Sequence, residues 1–127
     1  MVSIITLYSI YVATKLHICT KCHNYYINGR QNIPVIVRKL FPHKFSEKEI
    51  NLLQKISFKE SSFINTASIP NGSSYGLFGF LNSTFKKYGF KRTDCPWCQT
   101  KLGVLYIIGR YKTFIKAWVH HLAYNWY

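Results

Sequence analysis

The residues whose types and spacing most clearly suit a chemical role are four cysteines in two C-x-x-C pairs. Cys19 and Cys22 form CTKC, and Cys95 and Cys98 form CPWC. Two thiolates three positions apart on a tight turn can bind one metal ion, and two such pairs complete a tetrahedral Cys₄ shell around zinc. The spacing therefore predicts one structural Zn²⁺ ion held by all four cysteines.

A closed four-cysteine shell has no open coordination position, so we expect the zinc to hold the fold and not to catalyse. Three alternatives stay open. Cys19, Cys22 and His23 spell the C-x-x-C-H pattern of haem attachment. CPWC resembles the redox pair of thioredoxin-like proteins, although no βαβ unit surrounds it. Disulfides of an exported protein are the third alternative.

Acid–base chemistry has little support in the sequence. The four carboxylates are Glu47, Glu49, Glu60 and Asp94. Two of them belong to a predicted helix start and Asp94 is adjacent to a predicted metal ligand, so no convincing acid–base pair remains. We expect a protein that is not an enzyme and has no small-molecule substrate.

The charge balance points to a polyanionic partner. The chain has 127 residues with 17 Lys and Arg against 4 Asp and Glu, a formal net charge of +13. Hydrophobic residues make up 48% and aromatic residues 17%, enough for one modest core, which excludes a disordered basic tail. We expect a single domain over residues 1–127, facing nucleic acid or anionic lipid.

The composition and the first residues favour an organellar origin. The chain is rich in Ile, Asn, Lys, Tyr and Phe, which AT-rich codons encode, and poor in Gly, Ala, Arg and Pro. The apolar run within residues 1–18 is shorter than the roughly 20 residues that span a bilayer, and it lacks the charge pattern of a signal peptide or the arginines of a transit peptide. We therefore expect a protein of the mitochondrial matrix that the organelle itself encodes. The alternative sources of this composition are AT-rich genes of bacteria, protists or large viruses.

Local patterns predict both strands and helices in the first half of the chain. Residues 2–12 and 33–40 are rich in β-branched residues, which favours two strands. Ser46 followed by Glu49 forms a capping box, which predicts a helix of about 10–12 residues starting at Glu47.

The second half is predicted to contain an irregular segment, a strand and a terminal helix. Residues 57–89 are rich in Ser, Gly and Asn, with one short helix expected around residues 77–87. Residues 102–108 read as a strand leaving the second cysteine pair. A helix over about 110–125 is predicted from an apolar stripe expected to cover the core, formed by Tyr111, Phe114, Ile115, Trp118, Val119 and Leu122.

Together these elements predict an α+β fold. Its centre is a small zinc-ribbon-like Cys₄ module with knuckles at residues 19–22 and 95–98. The interval between the pairs is much longer than in a compact zinc ribbon, so residues of about 46–89 are interpreted as a helical insertion. The C-terminal amphipathic helix completes the domain.

In its general type the chain resembles the zinc-ribbon ribosomal proteins of mitochondria. The resemblance lies in the two C-x-x-C knuckles and the interleaved lysines and aromatic residues. The stretch HNYYINGR after Cys22 is also similar to the asparagine–tyrosine stretch after the first knuckle of one bacterial large-subunit family. The long interval between knuckles and the aromatic C-terminus depart from that family.

The resemblance implies a ribonucleoprotein component that is wedged among rRNA helices and neighbouring proteins, with cations on phosphates and aromatic rings on unpaired bases. The RNA-binding candidates are the cations near the knuckles and the terminal helix, namely Arg30, Arg38, Lys39, Lys44, Lys86, Lys87, Lys91, Arg92, Lys101, Arg110, Lys112 and Lys116.

Two other functions stay open. In an accessory zinc-binding subunit of an inner-membrane respiratory complex, Trp118, Trp126 and Tyr127 would lie at the lipid interface. A zinc-ribbon transcription factor would carry the same basic surface and bind DNA or a polymerase.

Overall fold

The computed structural model describes residues 29–68 and 73–127. In this part of the chain the fold is a mostly helical α+β arrangement, which confirms the mixed class. Cys19 and Cys22, and the strand predicted over residues 2–12, lie outside the described residues. The described elements are α1 (Gly29–Leu40), α2 (Glu47–Ser61), β1 (Ser74–Tyr75), β2 (Phe80–Leu81), α3 (Asn82–Lys87), α4 (Pro96–Tyr111) and α5 (Phe114–Tyr124).

Helix α1 occupies the segment for which a strand was predicted over residues 33–40, so that prediction is wrong. The β-branched composition was outweighed by spacing: Ile33, Ile36 and Val37 recur at intervals of three and four, and all three are buried. Val35, on the opposite side, is 39% exposed. One apolar helical face packed on the core decided the conformation, because β propensity is a weak preference compared with burial.

Helix α2 begins as the capping box predicts. Ser46 Oγ accepts a hydrogen bond from Glu49 N at 3.2 Å, and Glu49 Oε1 accepts one from Ser46 N at 3.0 Å. The helix runs for 15 residues, longer than predicted, and ends at Ser62, which has a left-handed conformation. Its inner side buries Ile50, Leu53 and Ile56. This element was confirmed because its start signal and its apolar spacing agree.

The segment predicted to be irregular contains a small hairpin. Strands β1 and β2 are antiparallel, with Ser74 opposite Leu81 and Tyr75 opposite Phe80. The connecting turn runs from Gly76 to Gly79, both with positive φ, and Gly79 N donates to Gly76 O at 3.1 Å. Only glycine adopts such angles without strain. The predicted short helix is present as α3, which follows β2 directly.

Helix α4 contains residues 102–108, so the strand predicted there is wrong as well. Cys95 is the N-cap residue and Pro96 follows as the first helical residue, a position where its missing N–H has no cost. Leu102 and Ile107 are fully buried. A continuous apolar run does not distinguish a buried strand from a buried helix, and here the helix start signals at Cys95–Pro96 were the deciding feature.

The terminal helix α5 is shorter than the predicted range of about 110–125. Lys112 has a positive φ of 71° and ends α4, and Thr113 caps the new helix by accepting a hydrogen bond from Lys116 N. The predicted apolar stripe is only half buried. Phe114 faces the core, but Ile115, Val119 and Leu122 are 51%, 57% and 60% exposed. Helix α5 buries Ala117 and His121 in their place.

The core lies between α4 and the helices packed around it. Helix α1 packs against α4, and α5 packs against both α2 and α4. The glycine turn inserts Leu77 and Phe78 into the centre, where both are almost fully buried. Tyr127 closes the core from the C-terminal side: its hydroxyl donates to Phe78 O at 2.7 Å. A ring buried in this way is not available for the lipid interface that one alternative function assigned to it.

Candidate nucleic-acid interface and cysteine pair

The second cysteine pair lies at the N-terminus of α4. Cys95 Sγ accepts a hydrogen bond from Cys98 N at 3.4 Å, and each cysteine is 1% exposed. The two residues pack with Ile36 and Trp97 in a small apolar cluster against α1. Amide donors and the positive end of a helix stabilise thiolates, so the local geometry suits a metal-binding pair.

The donor set available in the described residues is half of a Cys₄ shell. No group of three or more His, Cys, Asp or Glu residues that could hold a metal lies within residues 29–68 and 73–127. The other two predicted ligands, Cys19 and Cys22, are outside these ranges. Cys95 is disulfide-bonded in the structure. A zinc shell and a disulfide are alternative states of a sulfur atom, because only the thiolate binds the metal.

Three of the four carboxylates are held by groups of the chain itself. Arg38 Nη2 donates to both carboxylate oxygens of Glu47, at 2.9 and 2.8 Å. Glu49 is occupied by the capping box. Asp94 accepts a hydrogen bond from the hydroxyl of Tyr75. These acids therefore stabilise local structure, and Arg38 would have to exchange its pairing with Glu47 for a contact with a phosphate.

The fourth carboxylate, Glu60, lies in a small cavity of about 170 Å³ that is also lined by Tyr106, Trp126 and Tyr127. Burial raises the pKa of Glu60 to about 7. His121 Nδ1 is 3.5 Å from Glu60 Oε1, and the pKa of His121 is lowered by burial and by the nearby positive charge of Lys59. Burial thus shifts both groups toward their neutral forms, so near neutral pH this carboxylate opposes the positive charge of the protein less than an exposed carboxylate does.

The predicted RNA-binding cations are distributed along the described chain. Arg30 lies in α1, and Lys101 in α4 is partly buried. The other candidates are exposed: Arg38 and Lys39 in α1, Lys44 before α2, Lys86 and Lys87 in α3, Lys91 and Arg92 before α4, Arg110 in α4, Lys112 after it and Lys116 in α5. Their exposure is compatible with phosphate contacts, and they are spread over four helices and the segments between them.

Several cations lie on aromatic rings. The guanidinium of Arg92 is 3.9 Å from the ring centroid of Tyr75. Arg110 is 5.2 Å from the centroid of Trp126 and 5.6 Å from that of Tyr111. Lys44 is 5.9 Å from Phe41. Mixed surfaces of this kind combine attraction for phosphates with faces on which bases can stack.

One surface groove is lined by lysines that are not among the predicted RNA-binding residues. This groove of about 520 Å³ lies between α2 and α5, and we call it the α2–α5 groove. It is lined by Asn51, Gln54, Lys55, Phe58, Lys59, Phe63 and Trp118. A signal was present in the sequence, because Asn51, Lys55 and Phe58 recur at helical spacing on the side of α2 opposite its apolar face.

The α2–α5 groove combines open aromatic surface with positive charge. Phe58 is 54% exposed, and its ring centroid is 5.5 Å from that of Phe63. Lys55 Nζ lies 5.8 Å from the ring centroid of Trp118. No carboxylate lines the groove, and within the described ranges neither Lys55 nor Lys59 pairs with one.

Comparisons with known proteins add no relative: the chain matches no protein-family model, no curated protein and no solved structure. Among the helices that the structure describes, none is both long and apolar enough to cross a membrane.

Proposed function

We propose that the protein is a structural constituent of a mitochondrial ribosome that binds rRNA through its basic surface, with one zinc ion joining the two cysteine pairs. The observation that carries RNA binding is the charge excess. The chain has 17 Lys and Arg residues against 4 carboxylates, a formal net charge of +13, and burial raises the pKa of one of these acids, Glu60, to about 7. The field around the folded protein is therefore positive, as binding to phosphates requires.

The exposed residues of α5 support a place inside a larger assembly. Ile115, Val119 and Leu122 form an apolar stripe on the outer side of the helix, and Tyr124 and Trp126 extend it. Contiguous apolar surface of this kind favours contact with another protein. In the proposed assembly this stripe faces a neighbouring ribosomal protein while the cations face rRNA.

The ribosomal assignment is tested by sedimentation and crosslinking. Tagged protein from organelles is expected to co-sediment with a ribosomal subunit in mild detergent, and ultraviolet crosslinking is expected to recover rRNA. Treatment with ribonuclease should release it from that fraction. Recovery with a membrane complex, with no rRNA crosslinked, would contradict the proposal and favour the respiratory-complex alternative. Crosslinking to DNA or to a polymerase would favour the transcription alternative.

The zinc site is tested separately from the partner. The proposal applies to the reduced chain, because Cys95 must be a thiolate to bind metal. Protein purified with reductant is expected to contain one zinc per chain, and Cys98→Ser is expected to lose it. Cys98 is buried, so zinc content and not stability is the deciding measurement. A metal-free chain with one or two disulfides under the same conditions would contradict the zinc site.

A further inference from the structure

We propose that the α2–α5 groove binds an unpaired base of single-stranded RNA, with the two groove lysines holding the phosphates on either side. This inference deepens the proposed function and rests on it. It assigns a particular binding mode to residues outside the original set of RNA-binding candidates.

The aromatic rings supply the surface for the base. Phe58, in the last turn of α2, is more than half exposed although it is a large apolar residue, and Phe63 lies beside it. Trp118 forms the opposite side of the groove on α5. Stacking on such rings accepts any base, because every base has an apolar face. A volume of about 520 Å³ falls within the size range of small-ligand sites.

Charge and hydrogen bonding favour a nucleotide as the occupant. Lys55 and Lys59 are one helical turn apart on α2, and no acid lines the groove, so anions are attracted and cations are not. Asn51 and Gln54 place side-chain amides at the same groove, and neither amide bonds to another described residue. Amides donate and accept at once, which suits the polar edge of an unpaired base.

The experiment compares a normal and an abasic oligonucleotide. The probe is single-stranded oligo(U) of about eight nucleotides, within the usual site sizes. The second probe has the same length and phosphates but lacks the bases. Phe58→Ala is expected to weaken oligo(U) binding about tenfold, the loss typical of one stacked base. Its affinity for the abasic probe is expected to match that of the wild type.

Leu105→Ala is the matched control. Leu105 is 37% exposed, but it lies on α4 and does not line the groove. This variant is expected to bind both probes as the wild type does. Because Phe58 and Leu105 are both exposed, the two variants are expected to fold, which unfolding curves verify.

The outcomes separate the inference from the function on which it rests. Binding of oligo(U) that is unchanged in Phe58→Ala would overturn the groove as a base site while RNA binding stands. Binding of folded rRNA fragments without oligo(U) binding would do the same. Absence of binding to any RNA would overturn both. Equal, Phe58-dependent binding of a polyglutamate peptide would show that the groove takes acidic peptides and would also overturn the inference.

Discussion

The two sides of helix α2 differ in how their polar groups are used. On the inner side, Ser57 Oγ and Ser61 Oγ both donate to Leu77 O, at 2.9 and 2.8 Å. On the outer side, Lys55 and Lys59 face an open groove and pair with no carboxylate of the described residues. The inner groups therefore serve stability and the outer ones are free to serve binding. One helix separates the two roles by the side on which a residue lies.

The largest test of this comparison uses one residue type in two surroundings. Gln54 lies on the outer side of α2, whereas Gln99 of α4 bonds in the core to the same residue, Leu77, as the inner serines of α2. Gln99 is 1% exposed; its Oε1 accepts from Leu77 N at 2.9 Å and its Nε2 donates to Thr93 O at 2.7 Å. Gln99→Leu is expected to lower the free energy of unfolding by about 3 kcal/mol, because buried partners lose their hydrogen bonds. Urea unfolding followed by circular dichroism measures this change.

Gln54→Leu is the control for that substitution. Gln54 is only half-buried and lines the α2–α5 groove, so the expected change is within about 0.5 kcal/mol. Similar losses in Gln99→Leu and Gln54→Leu would show that the two sides do not differ as proposed.

A smaller effect is expected from the two inner serines, which share one acceptor. In Ser57→Ala or Ser61→Ala the other hydroxyl still bonds Leu77 O, so each change is expected to cost about 1 kcal/mol. The double variant leaves this buried carbonyl without either donor and is expected to cost more than the sum of the two. A double-mutant cycle in urea measures the coupling. If the two losses of unfolding free energy simply added in the double variant, the serines would act independently. Ser83→Ala, at an exposed position, is the control and is expected to leave the stability unchanged.

The next effect depends on pH and concerns Glu60, at the border between the two sides. Its pKa of about 7 in the folded protein lies above its ordinary value of 4.5, because burial disfavours the charged form. As pH rises through this window, the unfolded chain releases a proton that the folded chain keeps, so stability is lost. Below pH 4.5 the group contributes no difference. Glu60→Gln is therefore expected to be more stable than the wild type at pH 8 and similar to it at pH 4.

Thermal unfolding across this range measures the effect of Glu60→Gln. Repeating the measurement at high salt controls for the general loss of one negative charge, because salt screens interactions between exposed charges and leaves the cost of burial in place. A gain at pH 8 that disappears at high salt would assign the effect to net charge and not to the buried site.

The sequence predicted those parts of the fold in which local and tertiary signals agree. The capping box and the apolar spacing of α2 gave its start and its buried side. The segments 33–40 and 102–108 were misjudged because β-branched composition was weighed above helical spacing and above the Cys95–Pro96 helix start. Burial in the tertiary structure decides between these signals, and a single segment does not contain that information.

The candidate site was predicted less completely than the fold. Net charge indicated a polyanionic partner, but no local pattern indicated that Arg38 is paired with Glu47 or that the pKa of Glu60 is raised to about 7. Both effects arise from contacts between distant residues. The groove was missed because Lys55 and Phe58 lie on α2, whereas Trp118 lies on α5, and only packing brings the three together.

The smallest effect on stability is expected on the outer side of α2. Lys55→Ala combined with Lys59→Ala is expected to change the free energy of unfolding by less than about 0.5 kcal/mol, since neither lysine pairs with a described carboxylate. The salt dependence of oligo(U) binding is expected to decrease, because each lost phosphate contact lowers the slope of log K against log salt by about 0.7 for single strands. Titrations at several salt concentrations measure that slope. Lys48→Ala is the control, because Lys48 is an exposed lysine of the same helix that does not line the groove. If the slope decreased by the same amount per lysine in Lys48→Ala, the lysines would attract RNA diffusely and the groove would not be a specific site.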